Sequence, residues 1–461
     1  LSCHKLMTKL YSARWVLPTA SSLIENGAVA IEGSRVVAVG KRDDLVSRFR
    51  EATARDFGEA AILPGFVNTH SHLELTAMRG YLEREEGNFF AWLKKLTVAR
   101  LERMTPDDLY VSAAWGAVEA ARFGVTCLGD ASDAASSSMR ALKDVGLRGV
   151  VYQESFGPNP NDAREHFEKL REKIARLREY ETKLVRVGVS PHAPYTVSAP
   201  QLELIAAFSI AEKLPLMMHA AESEAEQLFM LEGRGPFAEG LARRGIEWRA
   251  PGVSTIQYLA QHGILSTKPL LAHCIRVDDA DLETIKQAGA SIAHCPKSNA
   301  KLGHGRAPFA AFIEKEIKVG FGSDSVASNN TCDMLEEARF AILTARGTVG
   351  FGSAGQTLNA ETALATLTHG GARSLGLEAH AGTLIEGAQA DIAIVALDGA
   401  HQTPLHDTLA ALIFSSSGRD VLLTMVAGNV IFSDGRVLTV DEDDLRARMK
   451  EIERKVISNE W

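Results

Sequence analysis

A chain of 461 residues, 46% hydrophobic and 23% charged, is long enough to bury a sizeable core and too apolar to stay disordered, and its size predicts one large domain with a smaller companion. Its 58 acidic against 50 basic residues leave a net charge of -8 with no dense Lys/Arg run, which argues against a nucleic-acid surface and leaves small neutral or cationic partners open. The five cysteines form no C-x-x-C pair, and there is no signal-type segment and no apolar stretch of about 18 residues, so the expectation is a cytoplasmic protein with reduced thiols and no membrane partner.

Residues 9–63 are strand-like: "LYSARWVLP" and "AVAIEGSRVVAVG" are rich in β-branched and aromatic residues broken by glycine. The same character returns late, in "QADIAIVAL" and "VLLTMVAGNVIFSDGRVL", with a Gly-Asn and an Asp-Gly turn. Residues 1–62 and 378–461 are therefore expected to build one small β-sandwich domain. A terminal helix closes it, with Leu445, Met449, Ile452 and Val456 on one docking face.

Between them, in residues 63–377, eight short apolar runs alternate with amphipathic segments: "PGFVNTH", "FGVTCLGDA", "RGVVYQE", "LVRVGVSPH", "LPLMMHA", "PLLAHCI", "ASIAHCP" and "KVGFGSDS". Helical patterns such as residues 105–122, 163–180 and 278–287 separate most of them. That is the alternation of parallel strands with crossover helices, and the predicted fold is α/β, a (β/α)8 TIM-like barrel. Gly350, Gly352 and Gly355 match G-x-G-x-x-G but follow a helical segment rather than a strand, so they predict a loop and not a dinucleotide site.

The first run ends in His70, Ser71 and His72, and residues two apart on a strand face the same way. Alone, an H-x-H decides nothing. However, His219 ends the fifth run, His273 the sixth and Asp324 the eighth, and in a barrel all those ends converge on one face. Three imidazoles and a carboxylate suit Zn2+, with Fe2+ as the second choice, and leave a position for a water acidified toward neutrality. Glu222, three residues past His219, is placed to shuttle protons over such a site; its plainer reading is a partner for a helix N-terminus.

The motifs "LPGFVNTHSH", "SPHAPYTVS", "HAAES", "LAHC", "HCPKSNAKLGHGRAP", "GSDSVASNN" and "AGTLIEGAQADIAIV" occur in this order. With them, nearly the whole chain resembles amidohydrolase-superfamily deaminases of the cytosine deaminase and chlorohydrolase-like branch. The resemblance implies one divalent metal held by His70, His72, His219 and Asp324. It makes Glu222 the proton shuttle and has His273 orient the attacking group or the substrate. It further has Asp324 move the water's proton, His192 touch the substrate and Ser328 line the pocket. Binuclear relatives need a carboxylated lysine on the fourth strand; "LVRVGVSPH" has none, so one metal is expected.

Departures bear on the substrate. Leu73 and Glu74 follow the H-x-H, where adenosine-type deaminases of this branch carry a small residue, and Glu102 stands near their ribose-holding position, so that Glu102 or another residue is left to hold a ribose. With "GRGPFAEGL", these features resemble the aminodeoxyfutalosine deaminases of menaquinone synthesis. Glu74, Trp92, Glu102 and Ser155 are the expected substrate contacts. Phe89, Phe90 and Trp92 are suited to covering a flat ring, and Arg79, Arg100 and Glu102 to a carboxylate or ribose hydroxyls. The expected reaction is hydrolytic removal of ammonia from a 5′-modified adenine nucleoside such as aminodeoxyfutalosine, S-adenosylhomocysteine or 5′-deoxyadenosine, by a homodimer. Deamination of a free base and chloride displacement from a triazine stay open, because the same chemistry attacks the same kind of carbon. A non-catalytic assembly protein on the same barrel is the remote alternative; such proteins lose ligands that this chain keeps.

Overall fold

A computed structural model of the chain describes residues 7–349 and 357–457, so Gly350, Gly352 and Gly355 lie outside the described residues. Five strands open the chain: β1 (Lys9–Thr19), β2 (Ser22–Glu32), β3 (Arg35–Lys41), β4 (Thr53–Asp56) and β5 (Ala60–Pro64). Gly33, at φ 56°, turns β2 into β3, a backbone conformation glycine adopts without steric cost. Next come eight short strands: β6 (Phe66–Ser71), β7 (Val125–Ser132), β8 (Arg148–Ser155), β9 (Val185–Pro191), β10 (Met217–Ala220), β11 (Leu270–His273), β12 (Ser291–His294) and β13 (Lys318–Phe321). The chain closes with β14 (Ile392–Ala396), β15 (Val421–Val426), β16 (Asn429–Ser433), β17 (Arg436–Val437) and a helix over Glu442–Ile457.

Both chain ends share one nine-stranded sheet, in the order β17-β16-β15-β14-β5-β1-β2-β3 with β4 paired to β1. The joint is the antiparallel β5–β14 pair, Pro64 opposite Ile392. Val16, Ile31, Ile62, Ile394 and Met425 meet in the core on this sheet, so an early and a late segment bury one another's apolar faces.

The eight middle strands pair in chain order as two four-stranded parallel sheets, β6 to β9 and β10 to β13. Single parallel bridges link the two at both seams, Val189 with Leu216 and Ser71 with Asp324. Buried Val, Ile, Leu and Ala fill these strands on both faces, the composition of parallel strands covered by helices. Between the two units, Gly65 alone separates β5 from β6, and a Cβ there would stand 2.1 Å from the Thr126 methyl. A buried ion pair ties them again: Arg148 donates from Nε and Nη2 to the two oxygens of Asp391 at 2.7 and 3.1 Å. The terminal helix buries Leu445, Ile452 and Val456, half-buries Met449, and pairs Lys455 with Asp108 at 2.8 Å. Among the described residues, no helix is long and apolar enough to cross a membrane.

Candidate metal centre and active site

The ends of β6, β10, β11 and β13 deliver the site. Asn68 and Ser323 exchange two hydrogen bonds, of 2.8 and 2.9 Å, and the Asp324 amide donates to the His70 carbonyl at 2.9 Å, so His70 and Asp324 are fixed side by side. The chain leaves three of these strands through non-glycine residues in the left-handed region: Ala221 (φ 53°), His273 (φ 74°) with Cys274 (φ 46°), and Asp324 (φ 56°). Each costs about 1–2 kcal/mol, which the surrounding hydrogen bonds must offset.

His72 Nε2 lies 3.2 Å from His219 Nε2; Asp324 Oδ1 lies 3.4 Å from His70 Nε2 and 3.5 Å from His72 Nε2. One ligand atom each from His70, His72 and His219 falls within 4.8 Å of the others, and the same holds for His70, His273 and Asp324. The donors fit a divalent cation. His219 Nδ1 donates to the His192 carbonyl at 2.9 Å, which leaves its Nε2 an inward-facing lone pair, and both ring nitrogens of His70 are buried without a partner. Tetrahedral zinc with bonds of about 2.0–2.1 Å separates its ligands by about 3.3 Å, close to the spacings found here. Burial keeps the imidazoles neutral, the ligand form: His70 is held well below the usual range, and His219 is pushed down to about 4 by burial and then by His72. For Asp324, burial works upward, but His70 beside it and the other surrounding histidines outweigh it and hold the carboxyl well below its ordinary range.

The second oxygen of Asp324 accepts from Ser298 Oγ at 2.5 Å and from Ser328 Oγ at 3.0 Å. Glu222 sits between two histidines, its Oε1 3.6 Å from His273 Nε2 and 3.7 Å from His304 Nε2. His273 Nδ1 is 2.8 Å from Asn299 Oδ1. Burial pulls the His273 pKa down, yet Glu222 and Asp324 outweigh it and leave it raised.

These groups face a cavity of about 470 Å3 that His72, His192, His219, Glu222, His273, Asp324 and Ser328 all line. Leu75, Phe89, Trp92, Leu93, Leu96 and Leu101 form an apolar wall, with Trp92 stacked on Phe89 at 5.9 Å. Glu74 lines it too, accepting from Arg100 Nε at 2.9 Å, from the Ala134 amide at 2.8 Å and from Ser132 Oγ. Arg100 also reaches Asp133 at 3.0 Å.

Two expected contacts lie elsewhere. Glu102 is exposed, and the hydroxyl of Ser155 is turned to Gln201 Nε2 at 2.9 Å; neither lines the cavity. Arg79 is exposed and pairs with Glu119, and Phe90 packs on Phe237. Sequence reasoning passed over Glu154, which lines the cavity with a buried Oε1 that has no partner; burial, then Glu74, pushes its carboxyl well above the usual range. Its signal was its place at the end of the third apolar run. His304 was also passed over, and no spacing rule singles it out from "KLGHGRAP".

Comparison with known proteins shows the family and the fold. The sequence profile described as Amidohydrolase family matches residues 61–431, and that of the imidazolonepropionase-like composite domain of bacteria matches residues 27–52. The chain is 32% identical over 447 residues to 5-methylthioadenosine/S-adenosylhomocysteine deaminase of Symbiobacterium thermophilum, covering 96% of this chain and 97% of that protein. Among solved structures, an adenosine deaminase from Xanthomonas campestris with bound zinc superposes with a TM-score of 0.87 at 26% identity, over 98% of this chain and 99% of that one. Aminofutalosine deaminase of Helicobacter pylori, in complex with methylthio-coformycin, reaches a TM-score of 0.78 at 19% identity, over 92% and 100%. At that identity the likeness is one of fold.

Proposed function

The chain belongs to the amidohydrolase family, and from that premise we propose that it is a metal-dependent deaminase that hydrolyses the exocyclic amine of a 5′-modified adenine nucleoside. The observation that carries this reading is the convergence of His70, His72, His219 and Asp324 beside Glu222 at one end of a cavity with an apolar wall. We read the two bridged parallel sheets as one closed (β/α)8 barrel over residues 63–377, and the nine-stranded sheet as a β-sandwich from residues 1–62 and 378–461. His70, His72, His219 and Asp324 would hold one Zn2+ per chain, in a cytoplasmic homodimer.

A divalent metal in this donor set supplies Lewis acidity, which brings the pKa of a water into the neutral range. The protein's own groups do the rest. Asp324, its outer oxygen braced by Ser298 and Ser328, takes the proton of the attacking water as oxygen bonds to the amine-bearing carbon. Glu222 gives a proton to the adjacent ring nitrogen, ammonia departs with the proton Asp324 had taken, and the proton left on the added oxygen returns to Glu222 as that oxygen becomes a carbonyl, so charge and atoms balance. His273, fixed by Asn299, and His192, fixed by Thr196 at 2.9 Å, flank the substrate's path. Phe89 and Trp92 offer faces to a flat ring.

The methylthioadenosine/S-adenosylhomocysteine deaminases favour a nucleoside over a free base, because they match this chain from end to end. Triazine hydrolases share the fold at 23–24% identity, so chloride displacement is the second reading. The test is kcat/KM for ammonia release across adenine, guanine, cytosine, adenosine, 5′-methylthioadenosine, S-adenosylhomocysteine, 5′-deoxyadenosine, aminodeoxyfutalosine and a chlorotriazine. Best turnover of a free base or of the triazine overturns the nucleoside reading.

A further inference from the structure

Glu222 reaches its position through a turn rather than through bonds of its own carboxylate. After β10 the chain passes through Ala221 in the left-handed region, and a helix starts at Glu224 (Glu224–Glu232). Ser223 caps that helix, its Oγ accepting the Glu226 amide at 3.2 Å. In an ordinary capping box the side chain of the third helical residue returns to the amide of the cap. That third residue is Glu226, and it reaches further back: Oε1 accepts the Ala221 amide and Oε2 the Glu222 amide, each at 2.8 Å. Thr255 Oγ1 donates to Oε1 as well, at 2.8 Å. On the other side of the turn, the Ala221 carbonyl accepts the amides of Ile275 and Arg276 at 2.8 Å, just past His273.

Glu226 is fully buried and does not line the active-site cavity. Burying a carboxylate is costly, and capping by Ser223 makes it unnecessary for the helix itself. We propose that Glu226 is a positioning residue for the reaction: its carboxylate holds the Ala221–Glu222 backbone in the left-handed turn and so places the Glu222 carboxylate between His273 and His304. This rests on the reading of Glu222 as the proton carrier. A misplacement of about 1 Å in such a group is enough to cost on the order of 100-fold in rate.

The experiment is a double-mutant cycle on the metal-loaded enzyme, using the best substrate of the panel. Glu226→Gln keeps the volume but replaces one acceptor by an amide that opposes a backbone N–H. It is expected to lower kcat about 10- to 100-fold, with KM within about twofold and metal content unchanged. In the Glu222→Gln background the same change is expected to alter kcat by less than about twofold, because the group it positions is already disabled. Thr255→Val, which removes a single bond, is expected to show the same pattern with a drop of about two- to fivefold, and carries the test if Glu226→Gln folds poorly. Equal losses with and without Glu222 overturn the proposal, since that is the behaviour of a merely structural group. Wild-type kcat in Glu226→Gln or Thr255→Val beside a disabled Glu222→Gln also overturns it and leaves Glu222 as the proton carrier. Full activity of Glu222→Gln itself overturns both.

Discussion

The imidazoles of His72 and His219 stack at 5.3 Å with their Nε2 atoms 3.2 Å apart. Since His219 spends its Nδ1 hydrogen on the His192 carbonyl, its Nε2 presents a lone pair to His72, an arrangement that a cation between the rings stabilises. Elemental analysis is expected to find about one zinc per chain, and His219→Ala to bind less than about a tenth of it. Chelation is expected to lower the melting temperature as well, because a metal bound only by the folded state stabilises it. Two tightly held metals per chain, or full content in the variant, count against the site.

Glu222 stands outside that ligand set, nearer His273 and His304 than the metal-facing nitrogens. Glu222→Gln keeps the shape and removes the transferable proton, so kcat is expected to fall by roughly two to four orders of magnitude with metal content near wild type. Metal loss in parallel with activity would move Glu222 into the ligand set.

Much of this site was legible because it obeys strand arithmetic: His70 and His72 lie two apart, and His219, His273 and Asp324 each end an apolar run. The same arithmetic explains one miss. Neighbouring residues at a strand end face opposite ways, so where Ser155 turns to Gln201, Glu154 turns to the cavity. Glu102 has another cause. Residues 73–104 carry no steady period, and a π-helical turn over Ala99–Arg103 shifts the helix face, leaving Arg100 on Glu74 and Glu102 in solvent. The hold of Glu226 on the Ala221–Glu222 turn was not readable at all, because it depends on backbone amides that any sequence supplies.

Burial pushes the Glu337 carboxyl up to about 8, against partial relief from Lys297 and from the Asn329 amide at 2.5 Å. Below its ordinary value of 4.5 both folded and unfolded chains hold the proton; between 4.5 and 8 only the folded chain does, so this group's stabilisation is complete below 4.5 and is lost as pH rises through that window. Glu337→Gln cannot titrate. Its stability relative to wild type is therefore expected to improve between pH 5 and 8 by up to about 1.4 kcal/mol per pH unit, read from urea unfolding. Parallel pH curves for the two proteins would show that Glu337 does not titrate in this range.

The bidentate Arg148–Asp391 pair joins the start of β8 to the segment before β14, with both side chains almost wholly removed from water. Asp391 also accepts the Ala427 amide at 2.7 Å, and its carbonyl accepts that of Gly65 at 2.9 Å, so one residue ties the nine-stranded sheet to the parallel strands. Arg148→Met leaves a buried carboxylate facing an apolar chain and is expected to cost about 3–5 kcal/mol. Adding Asp391→Asn removes the unpaired charge while keeping an acceptor for Ala427, and is expected to restore about half of the loss. Because Arg148 stands at the start of β8, whereas the candidate ligands stand at strand ends, and neither Arg148 nor Asp391 lines the cavity, kcat/KM of the folded double variant is expected to stay within about threefold of wild type. If Arg148→Met instead unfolds at wild-type urea concentration, the pair is neutral to stability and the two units are held by other contacts, such as the Gly65 amide on the Asp391 carbonyl and the Thr424 hydroxyl on the Ala121 carbonyl.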